Sequence, residues 1–139
     1  MNRGLVIDTS VLIAVERGQL DLATVVANDD EPVVMAAISA HELLRGLARL
    51  PAGVRRARSE RWLESLLASV PIVDYDLDIA RVHAALWAEM SASGRAMGEH
   101  DQMLAATSLA LGYDLATLDS AFEAVPDLSI RRWQTASRD

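Results

Sequence analysis

Short apolar runs that end in polar residues recur along this chain, and most are followed by a stretch with helical periodicity. In the first, "GLVIDTSVLIA", a buried-strand pattern over 5–7 ends on Asp8, and a helix is expected over 11–17. Further strands are expected at 33–36, 71–75, 114–119 and 128–133. Strands that alternate with helices form a parallel sheet covered by helices on both faces. The pattern therefore predicts an α/β three-layer sandwich around a parallel sheet of four to five short strands.

The intervening segments predict helices, and their ends carry capping signals. Ser10 and Ser39 are suitable N-caps, and Gly18 is a suitable helix end. Trp62 and Trp87 are expected in the core or at an interface. Helices are expected over 20–27, 40–50, 54–70, 77–91 and 100–111, with a short helix or turn at 120–125. No repeat or linker interrupts the pattern, so a single domain spanning residues 1–139 is expected.

The charge of the chain is distributed unevenly. The formal net charge of −7 argues against a nucleic-acid binder, because contacts to phosphates require cations. The basic segment, residues 41–62, nevertheless holds six arginines against two glutamates, a net charge of +4. A polyanion partner therefore stays possible, and the candidate contacts are Arg45, Arg49, Arg55, Arg56 and Arg58.

Several classes of protein are excluded by residues that the chain lacks. It has no cysteine, which removes disulfide and thiolate chemistry and suits the cytoplasm. No apolar run approaches the roughly 18 residues of a membrane span, so no membrane partner is expected. All 13 cationic residues are arginine. A P-loop and a response-regulator receiver each need a lysine, and a haloacid-dehalogenase phosphatase needs Asp-x-Asp where this chain reads Asp8-Thr9-Ser10.

Four carboxylates fall where an α/β sheet binds its ligands, at the carboxyl ends of the strands. Asp8 and Asp119 end strands, Glu42 lies early in the helix after the second strand, and Asp101 opens the helix before the fourth. Two unit charges about 4 Å apart repel by roughly 4 kcal/mol at an effective dielectric of about 20. Such a cluster takes up protons or binds cations. Oxygen ligands suit Mg²⁺, whereas three histidines without cysteine make a zinc site a poor alternative.

Each acid also has an ordinary structural explanation. Asp8 and Asp119 can cap the helices that follow them, Glu42 can be a solvated helix residue, and Asp101 can complement a helix dipole. Their joint placement favours the metal site over four separate explanations. Thr117 lies two residues before Asp119, so on a strand both side chains would face the same way. Glu99 and His100, next to Asp101, are candidates to support it.

At this point the chain resembles a known family, the PIN-domain ribonucleases, and in particular the VapC toxins of bacterial toxin–antitoxin pairs. The resemblance extends nearly end to end and is specific because four blocks occur in order. The blocks are "VIDTSVLIA" with Asp8, "AISAHELLRGL" with Glu42, "GEHDQMLAATSLALG" with Asp101, and "LATLDSAFEAVPDLSIRRW" with Thr117 and Asp119. One position departs from the family pattern, since relatives often carry Asn where this chain has Asp119.

The resemblance implies a PIN-like fold and an endoribonuclease that depends on Mg²⁺ or Mn²⁺, with one or two ions bound. It implies that Asp8, Glu42, Asp101 and Asp119 bind the metal and carry catalysis, while Ser10 and Thr117 orient them. It also implies a homodimer that is neutralised by a cognate VapB-type antitoxin. Separately, the local charge of +4 motivates the hypothesis that the arginines of the basic segment bind the RNA backbone. Two alternatives stay open: a degenerate PIN domain that binds RNA or a protein without cleavage, and a PIN nuclease outside toxin–antitoxin systems.

Overall fold

The computed structural model describes residues 3–26 and 30–132. Its strands are β1 (Leu5–Ile7), β2 (Val33–Ala36), β3 (Ile72–Val73), β4 (Asp114–Ala116) and β5 (Ile130–Arg131). Its helices are α1 (Thr9–Glu16), α2 (Leu22–Val25), α3 (Ala37–Ala48), α4 (Val54–Ser69), α5 (Leu77–Ala92) and α6 (Glu99–Leu111), with a 3₁₀ helix over Ser120–Ala124. None of the helices in these two ranges is long and apolar enough to cross a bilayer.

The five strands form one parallel sheet in the order β3-β2-β1-β4-β5. This confirms the predicted α/β class and the upper strand count. Because β1 lies at the centre, Asp8 emerges at the middle of the carboxyl edge, flanked by the ends of β2 and β4. The last strand is shorter than the predicted 128–133, and Trp133 lies outside the described residues.

Alternate residues of β1 pack into two separate cores, one on each face of the sheet. Val6 faces a cluster that includes Leu86 of α5 and Leu104 of α6. Leu5 and Ile7 face the opposite cluster, which contains apolar residues of α1, α3 and α4. All three side chains of β1 are fully buried. A strand covered on both faces has no solvated side, which explains its uninterrupted apolar sequence.

Both predicted serine N-caps are wrong, for the same reason. Helix α1 begins at Thr9 with Asp8 in the N-cap position, and α3 begins at Ala37 with Ala36 in that position. Each strand passes into its helix without a loop, so the helices start earlier than the periodicity of their apolar residues indicates. Ser39 is therefore inside α3 and completely buried.

Three other expectations also differ from the structure. Strand β4 ends at Ala116, so the alternation expected of Thr117 and Asp119 does not hold: Thr117 is fully buried, whereas Asp119 is exposed. Of the two places expected for Trp87, the core is excluded because 56% of the residue is exposed, and the interface stays a prediction. The second helix is shorter than the predicted 20–27, and Ala27 lies outside the described residues.

Candidate active site

Asp8 is the most buried of the four acids, with 8% of its surface exposed. Its Oδ2 atom accepts hydrogen bonds from the hydroxyls of Thr117 (2.7 Å) and Ser10 (2.9 Å), and the Thr9 hydroxyl lies 3.3 Å from Oδ1. Although Asp8 occupies the N-cap position of α1, its side chain makes no capping hydrogen bond. Explaining this carboxylate as a helix cap is therefore wrong.

The two hydroxyls that bind Asp8 are themselves held by backbone donors. Ser10 Oγ accepts from the Leu118 amide at 3.1 Å, and Thr117 Oγ1 accepts from the Asp119 amide at 3.0 Å. Because each oxygen accepts from an amide on one side, its own hydrogen is free to point at Asp8. This network joins the end of β1 to the end of β4 and fixes the orientation of the carboxylate.

Glu42 and Asp101 share the electrostatic environment of Asp8. Burial raises the pKa of the Glu42 carboxyl, the negative charges of Asp8 and Asp101 raise it further, and His100 and Arg45 oppose the increase. Burial likewise raises the pKa of the Asp101 carboxyl, with contributions in the same direction from Asp8 and Asp119. The charge of Asp8 thus reaches both Glu42 and Asp101, and the charge of Asp119 reaches Asp101.

Asp119 both caps a helix and contributes negative charge to the acid cluster. Its Oδ1 atom accepts from the Ala121 amide at 2.9 Å and caps the 3₁₀ helix. The negative charge of the same carboxylate raises the pKa of Asp101. Capping uses one carboxylate oxygen and leaves the second available to the site.

The donor set fits a hard divalent cation. None of the four acids forms a salt bridge with another residue in the described ranges, although the charges of His100 and Arg45 partly offset that of Glu42. In the same part of the chain, no three Asp, Glu or His side chains converge tightly enough to enclose an ion. Mg²⁺ suits this open arrangement, because it usually keeps several of its waters and takes only one or two carboxylates directly.

The two candidates next to Asp101 have different positions. His100 lowers the pKa of both Glu42 and Asp101, and its ring lies edge-on to that of His41, with centroids 6.0 Å apart. Glu99 instead bonds His83 of α5, with 3.3 Å between Oε1 and Nε2. His100 therefore joins the acid cluster, and Glu99 belongs to a different part of the surface.

The basic segment forms part of α3 and α4 beside the acids. Arg45, Arg49, Arg55 and Arg58 are exposed. Arg56 is only half-buried and donates to the Leu50 carbonyl at 3.0 Å, which holds the turn between the two helices. Four of the five predicted arginines are thus available to a polyanion, while the fifth has a structural contact.

A cleft between α1, α3 and α4 was not predicted from the sequence. Its volume is about 220 Å³, and Glu42 and Arg55 both line it. Its apolar wall is formed by Ile13, Leu43, Leu47, Leu50, Trp62 and Leu63. Leu43 and Leu47 recur at helical spacing on α3, but periodicity does not tell a core-facing stripe from one that lines an open cleft.

Replacing Glu42 with glutamine is expected to stabilise the protein when divalent cations are removed. The folded-state pKa of Glu42 lies above the ordinary value of 4.5, so its unfavourable charge is absent below about that pH and develops as pH rises through the folded pKa. The variant should therefore match the wild type near pH 4 and exceed it at pH 8 in unfolding free energy, measured by urea titration in EDTA.

Saturating Mg²⁺ should make the wild type more stable than the Glu42→Gln variant at pH 8. An ion at 100 times its dissociation constant adds about 2.7 kcal/mol to the stability of a protein that binds it only when folded. Wild-type protein should gain more from Mg²⁺ than Glu42→Gln does. The exposed Glu60→Gln on α4 serves as the matched control and should change neither comparison. A Glu42→Gln protein less stable than the wild type at pH 8 in EDTA would contradict the expectation.

Comparison with known proteins identifies the family to which this arrangement belongs. A family profile described as the PIN domain matches residues 5–128. The chain belongs to the PIN-domain family. This confirms the resemblance inferred from the four sequence blocks, and all four acids lie within the matched PIN-domain region.

The relatives of this PIN domain include proteins named VapC. It is 36% identical over 139 residues to "VapC ribonuclease Y4jK" of Sinorhizobium fredii, covering 95% of this chain and 99% of the relative. Among solved structures, it superposes on DNA-bound VapBC from Salmonella typhimurium with a TM-score of 0.83 at 22% identity, covering 96% and 100% of the two chains. VapBC-5 from Mycobacterium tuberculosis gives a TM-score of 0.76 at 29% identity, covering 94% and 97%.

Proposed function

We propose that this PIN domain is an endoribonuclease dependent on Mg²⁺ or Mn²⁺, and the toxin of a toxin–antitoxin pair. The observation that carries the proposal is the placement of four acids at the carboxyl edge of a PIN-domain sheet, where the charge of Asp8 raises the pKa of both Glu42 and Asp101. The curated relatives named as ribonucleases, which match almost the whole chain, support the same activity.

The four acids would divide the work according to their positions. Asp8 and Asp101 are proposed as direct metal ligands, and Glu42 and Asp119 complete the acidic environment. When bound, a divalent ion lowers the pKa of water and neutralises the charge that develops on a phosphate. Ser10 and Thr117 would hold the Asp8 carboxylate in one orientation, which keeps it from turning away as substrate enters.

RNA would be held by the basic segment rather than by the acidic site. Negative acids repel phosphates, so affinity must come from cations placed outside the cluster. Such cations are supplied at α3, which carries Glu42, and on the adjacent α4. They are the exposed Arg45, Arg49, Arg55 and Arg58. Binding and cleavage would thus rest on different residues and can be separated by mutation.

Replacing Arg49, Arg55 and Arg58 together with glutamine is expected to weaken RNA binding and flatten its salt dependence. Each contact to a single-stranded phosphate contributes about 0.7 to the slope of log affinity against log salt. The triple variant should lose about two units of slope, measured by fluorescence anisotropy on an inactive Asp8→Asn background. Arg56 is kept because it holds the turn, and Arg81→Gln on α5 is the control. An unchanged slope would remove this role from the basic segment.

An antitoxin partner fits the cleft beside the acids. Solved structures similar to this chain include a toxin–antitoxin complex from Klebsiella pneumoniae and VapBC-5, a member of a family of toxin–antitoxin systems. The cleft offers an apolar wall, and Glu42 also lines it. We propose that a segment of a VapB-type antitoxin lies there and places a basic side chain against the acids. The resemblance also implies a homodimer, which sedimentation of the free chain would test.

The decisive experiment is cleavage of total cellular RNA by the purified protein, with the cut ends mapped by sequencing. Reactions with Mg²⁺, with Mn²⁺ and with EDTA are compared, each beside Asp101→Asn. Discrete cuts that require metal and vanish in the variant are expected. Specific RNA binding without cuts would favour the degenerate PIN domain, and cuts that survive both EDTA and the mutation would point to a contaminant.

A further inference from the structure

A second pocket lies between the segment after β3, helix α5 and the first residue of α6. Its volume is about 360 Å³. It shares no lining residue with the cleft between α1, α3 and α4, and none of the four acids lines it. The lining side chains are Tyr75, Ala80, His83, Ala84, Trp87 and Glu99.

A hydrogen bond and an ion-pair contact link three side chains of this pocket. His83 is buried, with 7% exposed, and its Nδ1 lies 2.7 Å from the Tyr75 hydroxyl while its Nε2 lies 3.3 Å from Glu99 Oε1. The contact at Nδ1 is a hydrogen bond, and the contact at Nε2 is an ion-pair distance to the carboxylate. His83 thereby orients both an aromatic wall and the carboxylate at the rim.

Two aromatic side chains of the pocket are unusually exposed. Trp87 follows His83 by one helical turn on α5 and is 56% exposed, and Tyr75 is 42% exposed. The alanines on α5 leave space beside the indole. Leu77, at the start of the same helix, is 65% exposed. Exposed apolar groups grouped around a pocket mark an interaction surface rather than a solvated face.

The charges around the pocket indicate whether its ligand is a cation or an anion. Glu99 is the only carboxylate among the lining residues. The segment that enters α5 adds Asp74, Asp76 and Asp78, all exposed. No arginine lines the pocket, so a phosphate group would meet only repulsion there. Aromatic faces combined with a carboxylate are instead the surroundings that a cation prefers.

We propose that this pocket binds an arginine side chain presented by a partner protein. The guanidinium stacks on Trp87 and pairs with the Glu99 carboxylate, while Leu77 contacts an apolar neighbour of the arginine. Arginine fits better than lysine because its group is planar, less strongly hydrated and able to bind a carboxylate through two N–H donors. The interaction is independent of the acid cluster and of RNA cleavage.

The test uses a short peptide, acetyl-Ala-Arg-Leu-amide, and its citrulline counterpart, which has the same shape without the charge. Binding is followed on the full chain through the indole N–H resonance of Trp87, assigned with Trp87→Phe. A saturable shift with the arginine peptide is expected, weaker by about tenfold or more with citrulline and with Glu99→Gln. Glu89 is an exposed acid on α5 that does not line the pocket, so Glu89→Gln should bind the peptide as the wild type does.

Three results would overturn the proposal. Equal binding of the two peptides, or no saturable shift, would show that the pocket does not recognise the guanidinium. A tighter shift with guanosine monophosphate would assign it to a nucleotide. A change of the Trp87 resonance with protein concentration alone would show that a second copy covers it. Since no step uses RNA cleavage, failure here leaves the proposed nuclease activity untouched.

Discussion

Replacing Asp8 with asparagine is expected to lower the rate of metal-dependent RNA cleavage by at least about a hundredfold, with little change in the fold. Residues that only support a metal ligand typically contribute 10- to 100-fold, so loss of the central carboxylate should exceed that range. Asparagine keeps an oxygen where Asp8 Oδ2 accepts from Ser10 and Thr117. The substitution therefore removes charge while the hydroxyl contacts persist.

Single-turnover cleavage of the mapped RNA, with circular dichroism of the same samples, measures this effect. Asp21→Asn provides the matched control, because Asp21 caps α2 through its side chain and lies outside the acid cluster. The control should keep full activity. An Asp8→Asn protein that is folded and cleaves at the wild-type rate would exclude Asp8 from the mechanism and, with it, the proposed metal site.

Replacing Thr117 with valine is expected to reduce cleavage by about 10- to 100-fold, although Thr117 itself is not proposed to touch the metal. The two side chains have nearly the same shape, but valine cannot donate to Asp8 or accept from the Asp119 amide. A hydrogen bond to a charged group is worth about 1.5–3 kcal/mol, so stability should fall by a similar amount. Apparent affinity for Mg²⁺ should fall together with the rate.

Thr117→Ser separates this role from simple destabilisation. Serine restores the hydroxyl and should recover most of the activity, whereas Thr107→Val, which removes only a bond to the Met103 carbonyl of the same helix, should not affect cleavage. The readout is the Mg²⁺ concentration at half-maximal rate. A Thr117→Val protein with normal metal dependence but lower stability would reduce Thr117 to a structural residue.

The sequence was sufficient for the sheet and for the set of acids because both follow from local patterns. A strand buried on both faces reads as a continuous apolar run, and the residue after it must lie at the sheet edge, as Asp8 does. The edge positions of Glu42, Asp101 and Asp119 follow from the same rule. Their proximity needs only parallel strands, which the alternation of strands and helices requires.

Contacts between distant segments could not be predicted in this way. The sequence pattern predicts that the Ser10 hydroxyl caps a helix, but in the structure this hydroxyl accepts a hydrogen bond from the Leu118 amide, 108 residues away. Likewise, no local pattern indicates that His83 forms a hydrogen bond with Tyr75 and an ion-pair contact with Glu99, since the three residues lie in different segments. Such partners depend on the packing of α5 against α6 and on the exact ends of the strands.

The long separation between Asp8 and Thr117 also governs when the site can exist during synthesis. Asp8 is synthesised 109 residues before its hydroxyl partner Thr117, which directly follows β4. Until β4 has been made and inserted beside β1, the central carboxylate has no fixed orientation and Asp119 is absent. A chain that stops before the end of β4 therefore lacks both Thr117 and Asp119, so the proposed nuclease activity requires synthesis to pass Asp119.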